Sequence, residues 1–218
     1  MADGGNRGEV TGPEDISPLT LNRLSFYLRC LRQLQELGFQ RISSQQMAQR
    51  YHLSATQIRK DLAQFGEFGI RGVGYQIDEL ADHLDALLGL DRNHPMVIVG
   101  MGNLGSALAR YFGFNHGAFH VVAGVDNDAR KVGRQVAGRF TIRHASELAQ
   151  VVAESGALIG VLTVPDEVAQ HYYDELATAG IRGVLNFATI RVKPRPRVPL
   201  KNVDLRINLE ELAFFLKA

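Results

Sequence analysis

Residues Val97-Ile98-Val99 run into Gly100-Met101-Gly102-Asn103-Leu104-Gly105, and the helical Ser106-Ala107-Leu108-Ala109 follows. An apolar strand, a Gly-x-Gly-x-x-Gly turn and a helix commit this part of the chain to a strand–turn–helix unit carrying a dinucleotide-binding fingerprint. Each glycine has its own reason. Gly100 makes the tight turn, Gly102 admits the pyrophosphate to the backbone, and Gly105 permits close packing of helix on strand. The helix start at Asn103–Ser106 offers unpaired amides and the positive end of a dipole to phosphate. Alone the pattern is weak, because glycine is common in turns. Its context strengthens it: a second apolar run, Val121–Val125, ends in Asp126, 21 residues past Gly105. An acid there can accept from a ribose 2′-hydroxyl and repels a 2′-phosphate, which favours NAD(H) over NADP(H). Arg130 nearby is the argument on the other side.

From Met96 onward, buried strands alternate with helices. Val97–Val99, Val121–Val125, Phe140–Ile142, Leu158–Val164 and Val184–Phe187 read as strands. Ser106–Phe112, Ser146–Ala153 and Asp166–Ala179 read as helices. This is the pattern of a Rossmann-like, doubly wound parallel sheet covered on both faces. Thr163-Val164-Pro165 and Asn186-Phe187-Ala188 both end strands, which places them along the ligand crevice at the carboxyl edge. Pro165 and Asn186 are expected beside a nicotinamide, although turn chemistry explains Pro165 equally well. The Pro-rich Lys193–Pro199 then breaks the alternation. A final helix opening at Asn208-x-x-Glu211 carries Leu209, Leu212, Phe215 and Leu216. An apolar helix beyond a connector could exchange with a partner chain.

The ninety residues before the fingerprint have a different character. Residues 1–16 are Gly-rich and polar, the composition of a disordered tail. Ser17-Pro18 fits N-cap and first position of a helix whose Leu21, Leu24, Leu28, Leu31, Leu34 and Leu37 recur every three or four residues, with Gly38 as the stop. Ser43-x-x-Gln46 and Ser54-x-x-Gln57 are capping boxes opening a second and third helix. The inner face of the third carries Ile58, Leu62 and Phe65. Gly66, Gly69, Gly72 and Gly74, interleaved with Phe68, Ile70, Val73 and Tyr75, suit a small twisted hairpin. A fourth helix covers Ile77–Leu88, and Gly89–Pro95 reads as a linker. Three helices and a hairpin make a winged-helix plan, with helix-turn-helix at its centre.

Its charge agrees. Between Thr20 and Tyr75, eight basic residues face three acidic ones, a local +5 on a chain whose formal charge is +1. On the third helix, Thr56, Gln57, Arg59, Lys60 and Gln64 fall away from the apolar face, and Ser54 sits at its start. These residue types bond base edges and phosphates. Arg71, near the hairpin tip, could enter a minor groove. The DNA-binding expectation therefore rests on Ser54, Thr56, Gln57, Arg59, Lys60 and Arg71.

Other functions find less support. One cysteine, Cys30, permits neither an internal disulfide nor a Cys-based metal site, and its leucine neighbours suit a buried small hydrophobe. The seven histidines show no metal spacing; His116, in a Gly-rich loop, is the one of interest. No signal peptide or apolar run of about 20 residues is present, so a cytoplasmic protein without membrane contact is expected. No catalytic residue is assigned, because a second α/β substrate domain is missing and the strand ends lack a His, Lys or Tyr. An NAD-dependent oxidoreductase with an N-terminal dimerisation domain, and a CoA-type nucleotide binder, are the alternatives. CoA lacks the ribose diol that Asp126 would recognise.

Gln57-Ile58-Arg59-Lys60-Asp61-Leu62, Phe65-Gly66-Glu67-Phe68-Gly69 and Arg71-Gly72-Val73-Gly74-Tyr75 closely resemble the bacterial redox-sensing repressors called Rex. So do Val99 to Leu108, Leu162-Thr163-Val164-Pro165, Asn186-Phe187-Ala188 and Asn202-Val203-Asp204-Leu205, and the likeness spans Leu19 to Leu216. The resemblance implies a homodimer that represses transcription from a palindromic double-stranded operator when NADH is scarce and is released when NADH binds. It also implies a C-terminal helix exchanged between subunits. An Arg–Tyr–Asp relay between nicotinamide pocket and DNA domain would fall on Arg29, Tyr111 and Asp204. One departure stands out: Thr189 follows Asn-Phe-Ala, where the family more often has Pro. The expected organisation is a tail at 1–16, a winged-helix domain at 17–90, a Rossmann domain at 91–200 and a swapped helix at 201–218. NADH or NAD+ is the regulatory ligand. Its expected contacts are Gly100, Met101, Gly102, Asn103, Leu104, Gly105, Asp126, Thr163, Val164, Pro165 and Asn186.

Overall fold

A computed structural model describes residues 16–70 and 73–216. The residues 1–15, Arg71 and Gly72 lie outside the described residues, and with them most of the expected tail and one expected DNA contact. The chain divides into two compact units between Asp91 and Arg92.

In the first unit, α1 (Pro18–Glu36) opens on Ser17, whose hydroxyl accepts from the Thr20 amide. One face of α1 buries Leu24, Tyr27, Leu28, Leu31 and Leu34 completely or nearly so. Then follow β1 (Arg41–Ile42), α2 (Ser44–Tyr51), α3 (Ala55–Leu62), β2 (Tyr75–Gln76) and α4 (Ile77–Leu87). Met47 of α2, Ile58 and Leu62 of α3, and Ile77, Leu80 and Leu84 of α4 close one core with α1. The Ser43 capping box is complete in both directions. Phe65 lies beyond the end of α3 and only partly buries. The expected hairpin pairs differently from the reading of its glycines. Among its described residues one bridge joins Ile70 to Gly74, while β2 pairs antiparallel with β1, far back in the chain. The wing is thus anchored to the segment that precedes the helix-turn-helix.

The second unit is built on the strands β3 (His94–Val99), β4 (Phe119–Asp126), β7 (Arg143–His144), β8 (Ile159–Leu162), β9 (Gly183–Asn186) and β10 (Leu200–Asn202). They form one six-stranded parallel sheet, order β10-β9-β8-β3-β4-β7. Alternate residues of β3 enter different cores: Val97 and Val99 pack with Leu148, Tyr173 and Leu176, whereas Met96 and Ile98 pack with Met101, Ala109 and Val121. That period of two, apolar on both sides, is what a sheet covered on both faces requires. The helices are α5 (Asn103–Arg110), α6 (Leu148–Ser155), α7 (Asp166–Thr178) and α8 (Leu205–Phe215).

Three expectations are corrected here. Phe140–Ile142 is no sheet strand: β6 (Phe140–Thr141) folds back on β5 (Gln135–Val136) as a separate hairpin, and Arg143–His144 is the edge strand. The sequence after the prolines supplies a sixth strand, β10, that its composition did not suggest. The last helix begins at Leu205 rather than Asn208, because Asp204 accepts from the Arg206 amide and caps it. Among the described residues, α8 buries none of its side chains, and Leu205, Ile207, Leu209, Leu212, Phe214 and Phe215 are all exposed. None of the described helices is long and apolar enough to cross a membrane.

Candidate nucleotide cleft and DNA-reading helix

The order in which strands are added reverses between β3 and β8: from β3 the chain moves outward to β4 and β7, then returns to β8 and continues to β9 and β10. Ligands bind open α/β sheets at such a switch point, beyond the strands' carboxyl ends. A cleft of about 730 Å³ lies there, lined by Gly100, Gly102, Asp126, Thr163, Val164 and Pro165 among others.

The three glycines differ in what surrounds them. Gly100 has φ +95°, and a Cβ there would stand 2.6 Å from the Thr163 carbonyl oxygen. At Gly105 a Cβ would collide with the Gly100 carbonyl and lie 2.8 Å from Thr163 Oγ1. Gly102 is different. Its φ of −74° suits any residue, and a Cβ there meets nothing within 4 Å. Among the described residues, no neighbour excludes a side chain at Gly102. No side chain caps the N-terminus of α5.

Asp126 ends β4 and lines this cleft, only 9 % exposed. Its Oδ2 accepts from the Met101 amide at 2.7 Å and from Lys131 Nζ at 2.8 Å, and its Oδ1 accepts from the Asp128 amide at 2.8 Å. The carboxylate thus ties the strand end to the glycine turn, and a spare lone pair on Oδ1 remains for a hydroxyl. Lys131 balances its charge. Arg130, the cation that stood out in the sequence, instead forks onto Asp128 and is well exposed. That pairing, through Arg130's hydrogen bonds first, holds the Asp128 carboxyl down at about 2.

Other lining residues were not foreseen. Asn127 donates to the Tyr172 hydroxyl at 2.7 Å, joining the loop after β4 to α7 across the cleft. Asn127 could have been found as the residue just after a strand-ending acid. Nothing local marks Tyr172, 45 residues further on. Among the expected contacts, Met101 presents its amide to Asp126 while its side chain is buried. Asn103 faces a second cavity of about 490 Å³ beside Gly102, Lys131 and Arg134, and Leu104 lies exposed on α5. Asn186 is fully buried with its amide committed locally: Oδ1 accepts from the Ala188 amide, and Nδ2 donates to the Ala188 carbonyl and to Asn202 Oδ1. It holds the loop after β9 in shape instead of presenting a free group to a ligand. Thr189 completes that hold. Its amide and hydroxyl donate to the two oxygens of Asp166 at 2.8 and 2.5 Å, bonds that a proline could not make. The Thr189 hydroxyl is the main cause of the lowered Asp166 pKa.

The helix-turn-helix is set by its caps. α2 ends on His52 in the left-handed region (φ 54°), and Ser54 then caps α3 by accepting from the Gln57 amide. The second half of the expected Ser54 capping box is missing: Gln57 Nε2 turns one helical turn ahead and donates to Asp61 Oδ1 at 2.8 Å. Gln57 is therefore engaged within the protein. Arg59 is exposed yet braced by Ser44 Oγ and Thr56 Oγ1. Lys60 is exposed and has no side-chain partner among the described residues. Arg71 lies outside them.

Asp61 is the unforeseen residue of α3. It is fully buried and receives four hydrogen bonds: Arg23 Nε at 2.6 Å, Arg23 Nη2 at 2.8 Å, the Tyr27 hydroxyl at 2.9 Å and the Gln57 amide group. Burial alone would raise its pKa, but these donors, led by Arg23, outweigh burial and hold it below the usual carboxylate range. Of the expected relay, Arg29 is exposed with its guanidinium over the Phe26 ring; Tyr111 is 58 % exposed, edge-on to Phe114; Asp204 caps α8.

Comparison with known proteins follows the same division. Residues 15–63 match the family described as "Putative DNA-binding protein N-terminus", and residues 91–190 match "CoA binding domain". The redox-sensing transcriptional repressor Rex of Carboxydothermus hydrogenoformans is 42 % identical over 93 % of this chain and 97 % of its own length. That of Syntrophomonas wolfei subsp. wolfei is 44 % identical over 92 % and 95 %. Among solved structures, RSP bound to β-NAD+ and operator DNA superposes with a TM-score of 0.88 at 34 % identity, covering 92 % of each chain. RSP bound to β-NADH gives 0.82 at 32 % identity, covering 93 % of this chain and 94 % of the other.

Proposed function

This chain belongs to the Rex family of redox-sensing transcriptional repressors, and from that premise we propose how its two units divide the work. The second unit binds NADH or NAD+ as a signal in the cleft beyond Gly100. The first unit reads a palindromic operator with α3, and NADH occupancy lowers operator affinity. It is a regulator, not an enzyme, and acts in the cytoplasm.

The observation that carries the ligand assignment is Gly102. Gly100 and Gly105 are required by their protein neighbours, whereas Gly102 is surrounded by open space beside an uncapped helix start. That is where a pyrophosphate approaches the backbone most closely. Asp126 accepts from the adenosine ribose through its spare lone pair, and Thr163, Val164 and Pro165 wall the crevice toward the nicotinamide. Lys60, with Arg59 and Thr56 behind it, meets the DNA; Arg71 adds a wing contact.

Two recognition helices must meet successive major-groove faces, about 34 Å apart, so the reader is a homodimer. The exposed apolar face of α8 supports a swapped helix as the dimerising element. Arg29, Tyr111 and Asp204 serve as the relay from nicotinamide to DNA unit. NADH favours a dimer whose helix spacing misfits the operator; a 99:1 reversal needs about 5.5 kcal/mol of differential binding. Titrating NADH and NAD+ separately into an operator complex tests the reading. Release by NADH and recovery as NAD+ competes is expected; equal operator affinity at every NADH/NAD+ ratio would refute it.

A further inference from the structure

α3 meets DNA with one face, yet its most heavily bonded side chain points the other way. Asp61 is fully buried, and all its donors beyond Gln57 come from α1: two from Arg23 and one from Tyr27. Arg23 is itself steadied by Thr20 Oγ1, one turn back on the same helix. A hydrophobic contact between helices tolerates sliding and rotation. A carboxylate held by a two-pronged guanidinium and a phenol does not, because each bond weakens steeply with angle. Lys60 is the residue immediately before Asp61, so the clasp fixes the rotation of α3 where its outward lysine leaves the helix.

We propose that Asp61, Arg23 and Tyr27 form a positioning clasp that locks the recognition helix to α1 and sets the aim of α3 on the operator. This rests on the reading of α3 as the DNA-contacting helix. Asp61 touches no DNA. Gln57 belongs to the same clasp through its Nε2. α1 also carries Arg29, so a displacement of α1 carries α3 with it as one body.

Asp61→Asn and the milder Tyr27→Phe test the clasp in the full-length protein. Asn places a donor where Arg23 or Gln57 also donates, while Arg23, 35 % exposed, can turn to water; a thermal melt checks that the variant folds, and Tyr27→Phe carries the test if it does not. Tyr27→Phe removes one hydrogen bond and keeps the buried ring. Operator and scrambled-duplex affinities are measured at several salt concentrations, beside Lys60→Ala. For Asp61→Asn, the operator-to-scrambled ratio is expected to fall about tenfold, the discrimination of one base contact, with the salt slope unchanged. Tyr27→Phe should fall less in the same direction, and NADH affinity should not move. Lys60→Ala should instead lower the salt slope by about one. Simple loss of folded protein would scale both duplexes together and leave the ratio intact. An unchanged ratio in both clasp variants overturns the proposal while leaving DNA reading standing. If the wild type does not prefer its operator, the DNA reading itself fails. Amide exchange then decides the clasp: α3 amides should exchange faster than wild type in Asp61→Asn, and equal exchange overturns it.

Discussion

At the residue scale, position and neighbours decide what a side chain can do. Gly102 and Gly105 lie three apart in one turn, yet their expected substitutions diverge. Gly105→Ala drives a methyl into the Gly100 carbonyl and should lower stability by about 1–3 kcal/mol, read in thermal melts. Gly102→Ala meets no neighbour, so melting should shift by no more than about 0.5 kcal/mol while NADH affinity falls by a factor of ten or more. Equal NADH affinity would remove Gly102 from the pyrophosphate site. Cys30 is almost wholly buried, and burial pushes its thiol up to about 11. It should resist alkylation at pH 8 until the protein unfolds, which mass spectrometry can follow. Asp126 was legible because acids end such strands for a known reason. Its partner Lys131 was not: five residues away through a turn, it is indistinguishable in the sequence from Arg130, which pairs elsewhere.

At the element scale, the helix starts at Ser17 and Ser43 were legible because a cap and its recipient sit within three residues. The box at Ser54 failed because an acid one turn along, Asp61, competes for the same glutamine. No local pattern signals that competitor's burial, since Arg23 and Tyr27 arrive from 38 and 34 residues away. Likewise β10 follows prolines and is fixed by its ladder to β9 rather than by its own composition. Asp61 also makes a pH prediction. Its pKa is depressed on folding, so its stabilising contribution is complete above the ordinary carboxylate value of about 3.9 and vanishes as pH falls through the lower folded value. The stability gap between wild type and Asp61→Asn should stay level from pH 7 to 5 and narrow only below about pH 4. A gap that closes by pH 6 would mean that another group governs it. For α8, whose apolar side chains are all exposed, ending the chain after Asp204 should convert a dimer to monomers in sedimentation velocity. A persisting dimer would place the principal interface elsewhere.

At the scale of the whole molecule, neither unit explains the other. A glycine turn read alone suits an enzyme; joined to a winged-helix unit in a Rex chain, it supports the proposal that the dinucleotide is a signal. Whether the two halves communicate is a question of coupling free energy, not of either site's shape. Tyr111→Phe should leave NADH affinity near wild type and make operator release less sensitive to NADH; unaltered sensitivity would remove Tyr111 from the relay. Coupling is reciprocal: whatever factor NADH takes from operator affinity, the operator must take from NADH affinity. Calorimetric titration of NADH into the protein, free and saturated with operator, measures that factor without reference to transcription. A weaker NADH affinity on the operator complex, by the same factor as the loss of operator affinity in NADH, is the expected result. Identical NADH affinity with and without operator would contradict the switch.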